Sequence, residues 1–281
     1  MDRLFRSLPA FKGKGRLARF LMANDVKNKK DIEVTGKYGC KYLLPNIFES
    51  IGFDIFINGE YEPGIQQLIS RLLPANGCFL DLGGNIGAIV IPAAKLRPDI
   101  KAVSVEAAPW IFKYLQENIN KNGLGNVQLI NNALFDKDDE ELDFFSPHDS
   151  FGKGSLSPVF TREAVKVRSK KVDTLIKELN LGKIDLVKID IEGYEYFVFK
   201  GSESLLNSPD APILIFEFVD WAEKLAMGLE PGSAQRLLME MGYMLYEIQG
   251  SKLIKRDTYF TSGTYNLVAS KNELDPSFHR K

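Results

Sequence analysis

From residue 61 onward, short apolar runs alternate with longer stretches whose apolar residues recur every three or four positions, the pattern of strands and helices in turn. Runs at Cys78–Leu82, Lys101–Val105, Val127–Ile130, 184–190 and 213–218 predict buried strands, because strands covered on both faces show little alternation. Between them, helices are predicted over 63–73, over 86–96, from Pro109 to a stop at Gly123, over 173–179 with Asp173 as its cap, and over 194–206. Ile111, Phe112, Leu115 and Ile119 share one face of the helix that Pro109 opens. Pro92 sits inside the 86–96 pattern, where a kink is expected unless the proline falls in the first turn. A helix over 233–241 and strands at 243–248 and 265–269 complete the series. Strand followed by helix, repeatedly, predicts an α/β fold with a seven-stranded, mostly parallel sheet and helices on both faces.

Two segments depart from that rhythm. In the first, 32–35 and 41–44 read as short strands with Gly36 and Gly39 between them, and 53–57 reads as another strand ahead of Asn58-Gly59. The expected division is therefore 1–58, a basic arm and strand-containing cap that could cover a site, and 59–281, the main domain. In the second, 136–170, strands at 142–145 and 165–168 flank Gly152-Lys153-Gly154-Ser155 and Ser157-Pro158, a mobile loop by composition. A lid on the side of a substrate and a plain surface insertion are both open readings of that excursion.

The chain has 281 residues, enough to bury a sizeable core, and 44% of them are hydrophobic, so it is not a disordered polymer. Its 36 basic residues nearly balance 37 acidic ones, which excludes the global signature of a nucleic-acid binder. Cys40 and Cys78 form no Cys-x-x-Cys pattern, so neither a disulfide framework nor a zinc–thiolate site is expected. With no apolar run long enough to span a bilayer and no signal-peptide pattern, the expected location is cytoplasmic. Charge is uneven in one place only. Arg3, Arg6, Lys12, Lys14, Arg16, Arg19, Lys27, Lys29 and Lys30 face just Asp2 and Asp25, with Leu4, Phe5, Leu8, Leu17, Phe20 and Leu21 interspersed. Two readings follow: an arm that packs its apolar residues on the body and solvates its lysines, or peripheral contact with an anionic membrane surface.

Chemistry is concentrated where strands end. Phe79-Leu80-Asp81-Leu82-Gly83-Gly84-Asn85-Ile86-Gly87 is a strand that runs through a carboxylate into a glycine turn before a helix, where backbone N–H groups can approach an anionic or zwitterionic ligand. Glu106 closes the next strand and is placed to accept hydrogen bonds from both ribose hydroxyls. A dinucleotide fingerprint requires G-x-G-x-x-G, but from Gly83 the second and third glycine positions are Asn85 and Ala88, which weakens a pyrophosphate reading. Asp190, Glu192 and Glu217 lie at the ends of two further strands. Asp81, Glu106 and these three thus point acids at one rim from four strands, where open α/β sheets bind ligands.

Asp81-Leu-Gly-Gly-Asn-Ile-Gly87, Val105-Glu-Ala-Ala-Pro109, Leu115 with Asn118 and Asn122-Gly123, Asn132-Ala133-Leu134, and Leu186-Val-Lys-Ile-Asp-Ile-Glu-Gly-Tyr-Glu195 with Lys200-Gly201 resemble the FkbM family of methyltransferases over residues 59–218. The resemblance implies a class I methyltransferase-like (Rossmann-like) fold, S-adenosylmethionine as methyl donor, and a hydroxyl acceptor on a sugar, glycan or polyketide-like small molecule. It also implies Asp81, Gly83, Gly84, Asn85, Gly87 and Glu106 as cofactor-binding, with Asn132 and Ala133 beside the adenine. Ala107 departs from the proline common in the family after the acid. Asp190 is the first choice of catalytic base, since the end of the fourth strand lies beside the methyl group in such folds. Glu192 and Glu217 are alternatives for that role, or would hold acceptor hydroxyls.

Each residue has a plainer reading too. Asp190 and Glu192 could cap the helix near Tyr194, Glu217 could be a structural ion pair, and Asn132-Ala133 could be a simple turn. Glu62 could brace the cofactor loop or stabilise a first helical turn. His148 could serve as a base or decorate the surface, His279 belongs to the tail, and Glu195 and Lys200 read as solvated helix positions. A divalent metal on Asp190 and Glu217 would polarise a hydroxyl, though no spacing compels it. A nicotinamide oxidoreductase and a non-catalytic nucleoside or glycan binder are the competing functions.

Overall fold

A computed structural model describes Phe5, Leu8 and residues 13–22 and 29–275. Arg3, Leu4, Arg6, Lys12, Lys27 and His279 lie outside the described residues, as do Asp2 and Asp25. The chain opens with α1 (Lys14–Leu21), β1 (Lys30–Thr35), β2 (Lys41–Asn46), α2 (Ser50–Asn58) and α3 (Pro63–Leu72). There follow β3 (Cys78–Leu82), α4 (Val90–Leu96), β4 (Lys101–Val105), α5 (Pro109–Asn122), β5 (Val127–Ile130) and β6 (Ala133–Leu134). The excursion contributes β7 (Glu141–Phe145) and β8 (Ala164–Lys170). After it come α6 (Val172–Glu178), β9 (Leu186–Ile189), α7 (Glu195–Lys200), α8 (Glu203–Leu206) and β10 (Ile213–Val219). Last are α9 (Asp220–Leu225), α10 (Ser233–Glu240), β11 (Met244–Gln249), β12 (Lys252–Arg256) and β13 (Thr264–Ser270).

The main sheet runs β12-β11-β13-β10-β9-β3-β4-β5. β5, β4, β3, β9 and β10 are parallel, and β13, β11 and β12 continue the sheet antiparallel. The chain builds outward from β3 through β4 to β5, then returns to lay β9 on the other side of β3. Strand order therefore reverses at β3, and the crevice beyond the carboxyl ends of β3 and β9 is where such a sheet accepts a ligand. The fold is the class I methyltransferase-like, Rossmann-like α/β architecture expected, with eight strands rather than seven. The extra strand is β12, of which only Leu253 is buried, so a charged edge strand leaves no core-like pattern to read.

Alternate residues of each strand feed opposite cores. Phe79, Leu186, Ile215 and Val268 pack with Phe53 of α2, Leu68 of α3, Ile91 of α4 and Leu115 of α5. Leu80, Val187, Leu214 and Leu267 pack with Leu175 of α6, Val198 of α7 and Leu238 of α10. The central strand β3 is buried along its whole length, so its polar residue, Asp81, must be accommodated inside the protein.

Four local expectations are corrected. Residues 53–57 are helical, not extended: the Glu49 carboxylate accepts the Ile51 N–H at 2.7 Å, and Gly59 ends the helix at φ +80°. Six of the nine α2 residues are buried, so the run carried no period to separate helix from strand. Residues 86–89 are turn and α4 starts at Val90, which puts Pro92 in the first turn where its missing N–H costs no helical bond. The 194–206 stretch is two short helices, because a Cβ at Gly201 would stand 2.2 Å from the Phe135 carbonyl oxygen and the chain must bend past it. Asp173 does not cap its own helix; its carboxylate accepts Ser204 N–H at 2.8 Å and Leu205 N–H at 3.0 Å, satisfying the start of α8.

The N-terminal hairpin of β1 and β2 is antiparallel and lies along α5. Two asparagines one turn apart on that helix serve β2 as a substitute strand. Asn118 accepts Leu43 N–H at 2.6 Å and donates to Leu43 O at 3.2 Å; Asn122 accepts Lys41 N–H at 2.9 Å and donates to Lys41 O at 2.7 Å. Asn118 also donates to Ile86 O at 2.9 Å, which ties the hairpin to the glycine turn. Among the described residues no helix is long and apolar enough to cross a membrane.

Asn118 is fully buried, so Asn118→Ala leaves backbone groups of Leu43 and Ile86 without partners. Urea unfolding is expected to show a loss of about 1–3 kcal/mol, more than for Asn122→Ala at the rim.

Candidate active site

The turn after β3 is shaped by what surrounds it. Gly83 takes φ +88°, and an added Cβ would lie 1.9 Å from the Asp190 carbonyl oxygen. A Cβ at Gly84 would lie 1.9 Å from Ser104 Oγ. Side chains are therefore excluded on both sides, by β9 and by β4. Gly83 and Gly84 N–H both donate to Val105 O, at 2.9 and 2.8 Å, and Asn85 N–H donates to Glu106 Oε2 at 2.9 Å. Ile86 N–H goes to Asn85 Oδ1 and Gly87 N–H to Gly84 O, each at 2.8 Å. The turn thus spends its N–H groups internally, contrary to the expectation that they meet the ligand. What it offers is room for a close approach. That suits a ligand without phosphates better than a pyrophosphate, which needs free donors.

One cavity of about 210 Å³ opens above the turn, walled by Gly83, Gly84 and Asn85, by Glu106 and Asn132, and by Asp190, Glu192 and Glu217. Asp81, Gly87 and Ala133 lie off this wall. Asp81 is buried beneath it, taking the Ser104 hydroxyl at 3.1 Å on Oδ2 while Oδ1 has no hydrogen-bond partner. Burial raises its pKa to about 6, against the pull of Lys188. Gly87 is a packing position: its Cβ would meet Ile91 Cδ1 at 2.7 Å. Ala133 is buried in β6, which pairs with β8.

Glu106 joins loop to strand. Besides Asn85 N–H it accepts Ala108 N–H at 2.8 Å on Oε1, and burial still raises its pKa to about 7. Each oxygen keeps a free lone pair, so the carboxylate can take two further donors from a ligand.

Across the turn, the end of β9 supplies a dense charge cluster. Lys188, with only 3% of its side chain exposed, donates to Asp190 Oδ2 at 2.6 Å. Burial opposes its charge, but Asp190, Glu62 and Asp81 outweigh that and raise its pKa. Glu192 adopts φ +55° ahead of Gly193, and burial together with Asp190 raises its pKa to about 8. Glu217 on β10 is raised by burial, then by Asp190 and Glu192. Neighbouring buried carboxyls cannot all ionise, so Glu192 and Glu217 hold protons at neutral pH. Glu62 precedes α3 at φ +43°; its Oε1 accepts from Asn266 Nδ2 at 3.4 Å and its Oε2 is buried without a partner.

Other walls come from segments whose chemistry the sequence did not mark. Glu49, Ser50 and Ile51 at the start of α2, Tyr61, and Phe151-Gly152-Lys153 of the excursion all line the cavity. Asn85 Nδ2 donates to Phe151 O at 2.7 Å and Ser155 Oγ to Glu192 O at 3.3 Å, so the excursion bridges the glycine turn and the β9 end. Lys188 was missed as well, although a lysine within an otherwise apolar strand two residues before an acid is a visible signal. Glu195 is not solvated; it is buried, accepts Ile191 N–H at 3.2 Å, and burial raises its pKa to about 8. Lys200 pairs with Glu203 on the surface. His148 stacks on Trp110 with ring centroids 4.6 Å apart, off the cavity wall. Among the described residues, no group of three or more His, Cys, Asp or Glu side chains could hold a metal ion.

Residues 81–248 match the family described as Methyltransferase FkbM domain. Over 160 residues, 46% of the chain, the protein is 28% identical to Methyltransferase sdnD of Sordaria araneosa. A shorter stretch of 59 residues, 21% of the chain, is 39% identical to ribosomal RNA small subunit methyltransferase A of Desulforapulum autotrophicum. These matches span 61% and 20% of the relatives' own lengths, less than two thirds of either. Among solved structures, precorrin-6y C5,15-methyltransferase from Geobacter metallireducens GS-15 aligns with a TM-score of 0.45 at 14% identity, covering 74% of this chain and 86% of that one.

The buried carboxyls make stability depend on pH. Glu106, Glu192 and Glu195 keep protons to about 7, 8 and 8 in the folded protein, against an ordinary 4.5 once exposed. Between those limits the folded state binds more protons than the unfolded one, so the stability these groups contribute is fully present below about pH 4.5 and is lost as pH rises to about 8. Glu195→Gln, which preserves the acceptor for Ile191 N–H, is expected to flatten that slope in urea unfolding curves collected across the range.

Proposed function

The chain belongs to the FkbM methyltransferase family, and from that premise we propose that it is an O-methyltransferase acting on a hydroxyl of a small-molecule or glycan acceptor. It is an S-adenosylmethionine-dependent methyltransferase of Rossmann-like fold. The observation that carries the finer reading is the convergence of Glu106 and Asp190 on one cavity from opposite sides of the glycine turn.

The residues present fit this donor. The spare lone pairs of Glu106 suit a ribose diol, Asn132 sits on the adenine side, and the glycines at 83 and 84 leave space for the methionine portion. Asp81, Gly87 and Ala133 act from behind, as supports. S-adenosylmethionine supplies a methyl carbon on a cationic sulfonium, open to in-line displacement by an acceptor oxygen. Carboxyls outnumber the two lysines of the cavity wall, Lys188 and Lys153, which favours such a cationic ligand.

In this reading Asp190 removes the acceptor's hydroxyl proton at Oδ1 while Oδ2 remains bonded to Lys188. Glu192 and Glu217, carrying protons, donate hydrogen bonds to neighbouring acceptor oxygens and fix the attack line. The excursion from Phe151 to Lys153 acts as the acceptor-side lid. Its proposed location is cytoplasmic, and what supports this is a pair of buried free cysteines, of the kind a reducing compartment keeps. Nucleic acid is no part of this reading, since the cavity presents carboxyls rather than a basic groove. Membership of the family removes the nicotinamide alternative.

Cell extract incubated with methyl-labelled S-adenosylmethionine and analysed by mass spectrometry is expected to yield a labelled methyl ether; label on nitrogen would refute O-methylation. Asp190→Asn is expected to lower kcat by about 10²–10⁴ while calorimetry shows the donor still bound, and an unchanged rate would remove Asp190 from the base role. Gly83→Ala is expected to abolish donor binding itself.

A further inference from the structure

Helix α1 leaves its three largest apolar residues in water. Lys14, Ala18 and Met22 are buried, Lys14 Nζ donating to Leu8 O at 3.1 Å. Leu17, Phe20 and Leu21, at i, i+3 and i+4, form an adjoining stripe that is exposed, Phe20 to 79%. Arg19 fastens the helix to the body: its guanidinium stands 4.0 Å from the Phe53 ring centroid and donates to Phe48 O at 2.8 Å. Phe48 and Leu8 are themselves exposed, and each holds a side chain of the helix through its carbonyl, Phe48 that of Arg19 and Leu8 that of Lys14. An arm that packs apolar residues inward and solvates its lysines is therefore only part of what this segment does: Phe5, Ala18 and Met22 do enter the core. A lysine is buried and a phenylalanine is presented.

Water is a poor neighbour for such a face, and contiguous exposed apolar surface marks an interaction site. Its charge setting identifies the partner. Arg16 is exposed on the same helix, and nine Lys or Arg stand against two Asp in the first thirty residues. The exposed Trp221, Leu225 and Met227 elsewhere lie instead among Asp220 and Lys224, charges of both signs. Apolar side chains within a cationic stretch complement a surface that is anionic outside and apolar beneath. We infer that α1, with Leu8 and Phe48, docks the protein on an anionic membrane surface.

Docking there has a consequence for the cavity. α1 packs on α2 through Arg19 and Phe53, and the residues that open α2, Glu49, Ser50 and Ile51, line the cavity wall. The membrane-facing helix and the acceptor side thus share one element.

Co-sedimentation of the full chain with phosphatidylcholine vesicles, with and without phosphatidylserine, tests this without any need for the acceptor. Binding is expected to the phosphatidylserine vesicles, weakening as salt screens the charges. Phe20→Ser with Leu21→Ser should weaken it by at least about tenfold, and Arg16→Glu by about fivefold or more. Unchanged calorimetric binding of S-adenosylmethionine shows that the variants remain folded and keeps the result separate from the methyl-transfer reading. No sedimentation with either vesicle overturns the inference, as does equal binding by the Phe20→Ser, Leu21→Ser variant. Concentration-dependent dimers that this variant abolishes, without vesicle binding, would assign the patch to a second copy of the chain and overturn it too.

Discussion

Two glycines with no room for a Cβ hold the molecule's chemistry together. Gly83 lies against the carbonyl of Asp190 and Gly84 against the hydroxyl of Ser104, so the turn is wedged between the ends of β9 and β4. Because β3 is where strand order reverses, the strands on its two sides diverge in sequence but not in space. Glu106 reinforces the wedge with a single carboxylate that both fastens the turn through Asn85 N–H and faces the cavity. Removing side chains from the turn is thus less about flexibility than about close approach.

A second consequence is electrostatic. Packing Asp81, Glu106, Asp190, Glu192 and Glu217 about one turn, with Lys188 as the buried cation, leaves more acid than the interior can ionise. The protein resolves this by holding protons on Glu192 and Glu217 and by pairing Asp190 with Lys188. Neighbouring carboxyls thereby acquire different protonation states from environment alone. The cost is a folded state that loses stability as pH rises.

Much of this was legible in the chain. Buried parallel strands are continuous apolar runs, and an acid that ends one interrupts the run at the position where ligands bind, so Glu106, Asp190, Glu192 and Glu217 could be read as one rim before any coordinates. What stayed hidden depended on partners far away in sequence. Residues 53–57 are helical because Glu49 caps them, and an apolar stretch buried nearly all round has no period to show it. Glu195 looked like a solvated helix position, yet its neighbours bury it. Phe151 reaches the site through its backbone carbonyl, which no side-chain pattern can announce. For α1, eight residues reveal two faces but not which of them docks, and the structure buries Lys14 rather than Phe20.

The central claim is that the glycine turn forces the ends of β4 and β9 to grip the same ligand. Hydrogen–deuterium exchange with and without S-adenosylhomocysteine tests it directly, since the product's nucleoside and thioether occupy the donor's place. Simultaneous protection of residues 83–87, 105–107 and 188–192 is the predicted result. Protection of the turn and one strand end while the other exchanges unchanged would contradict it.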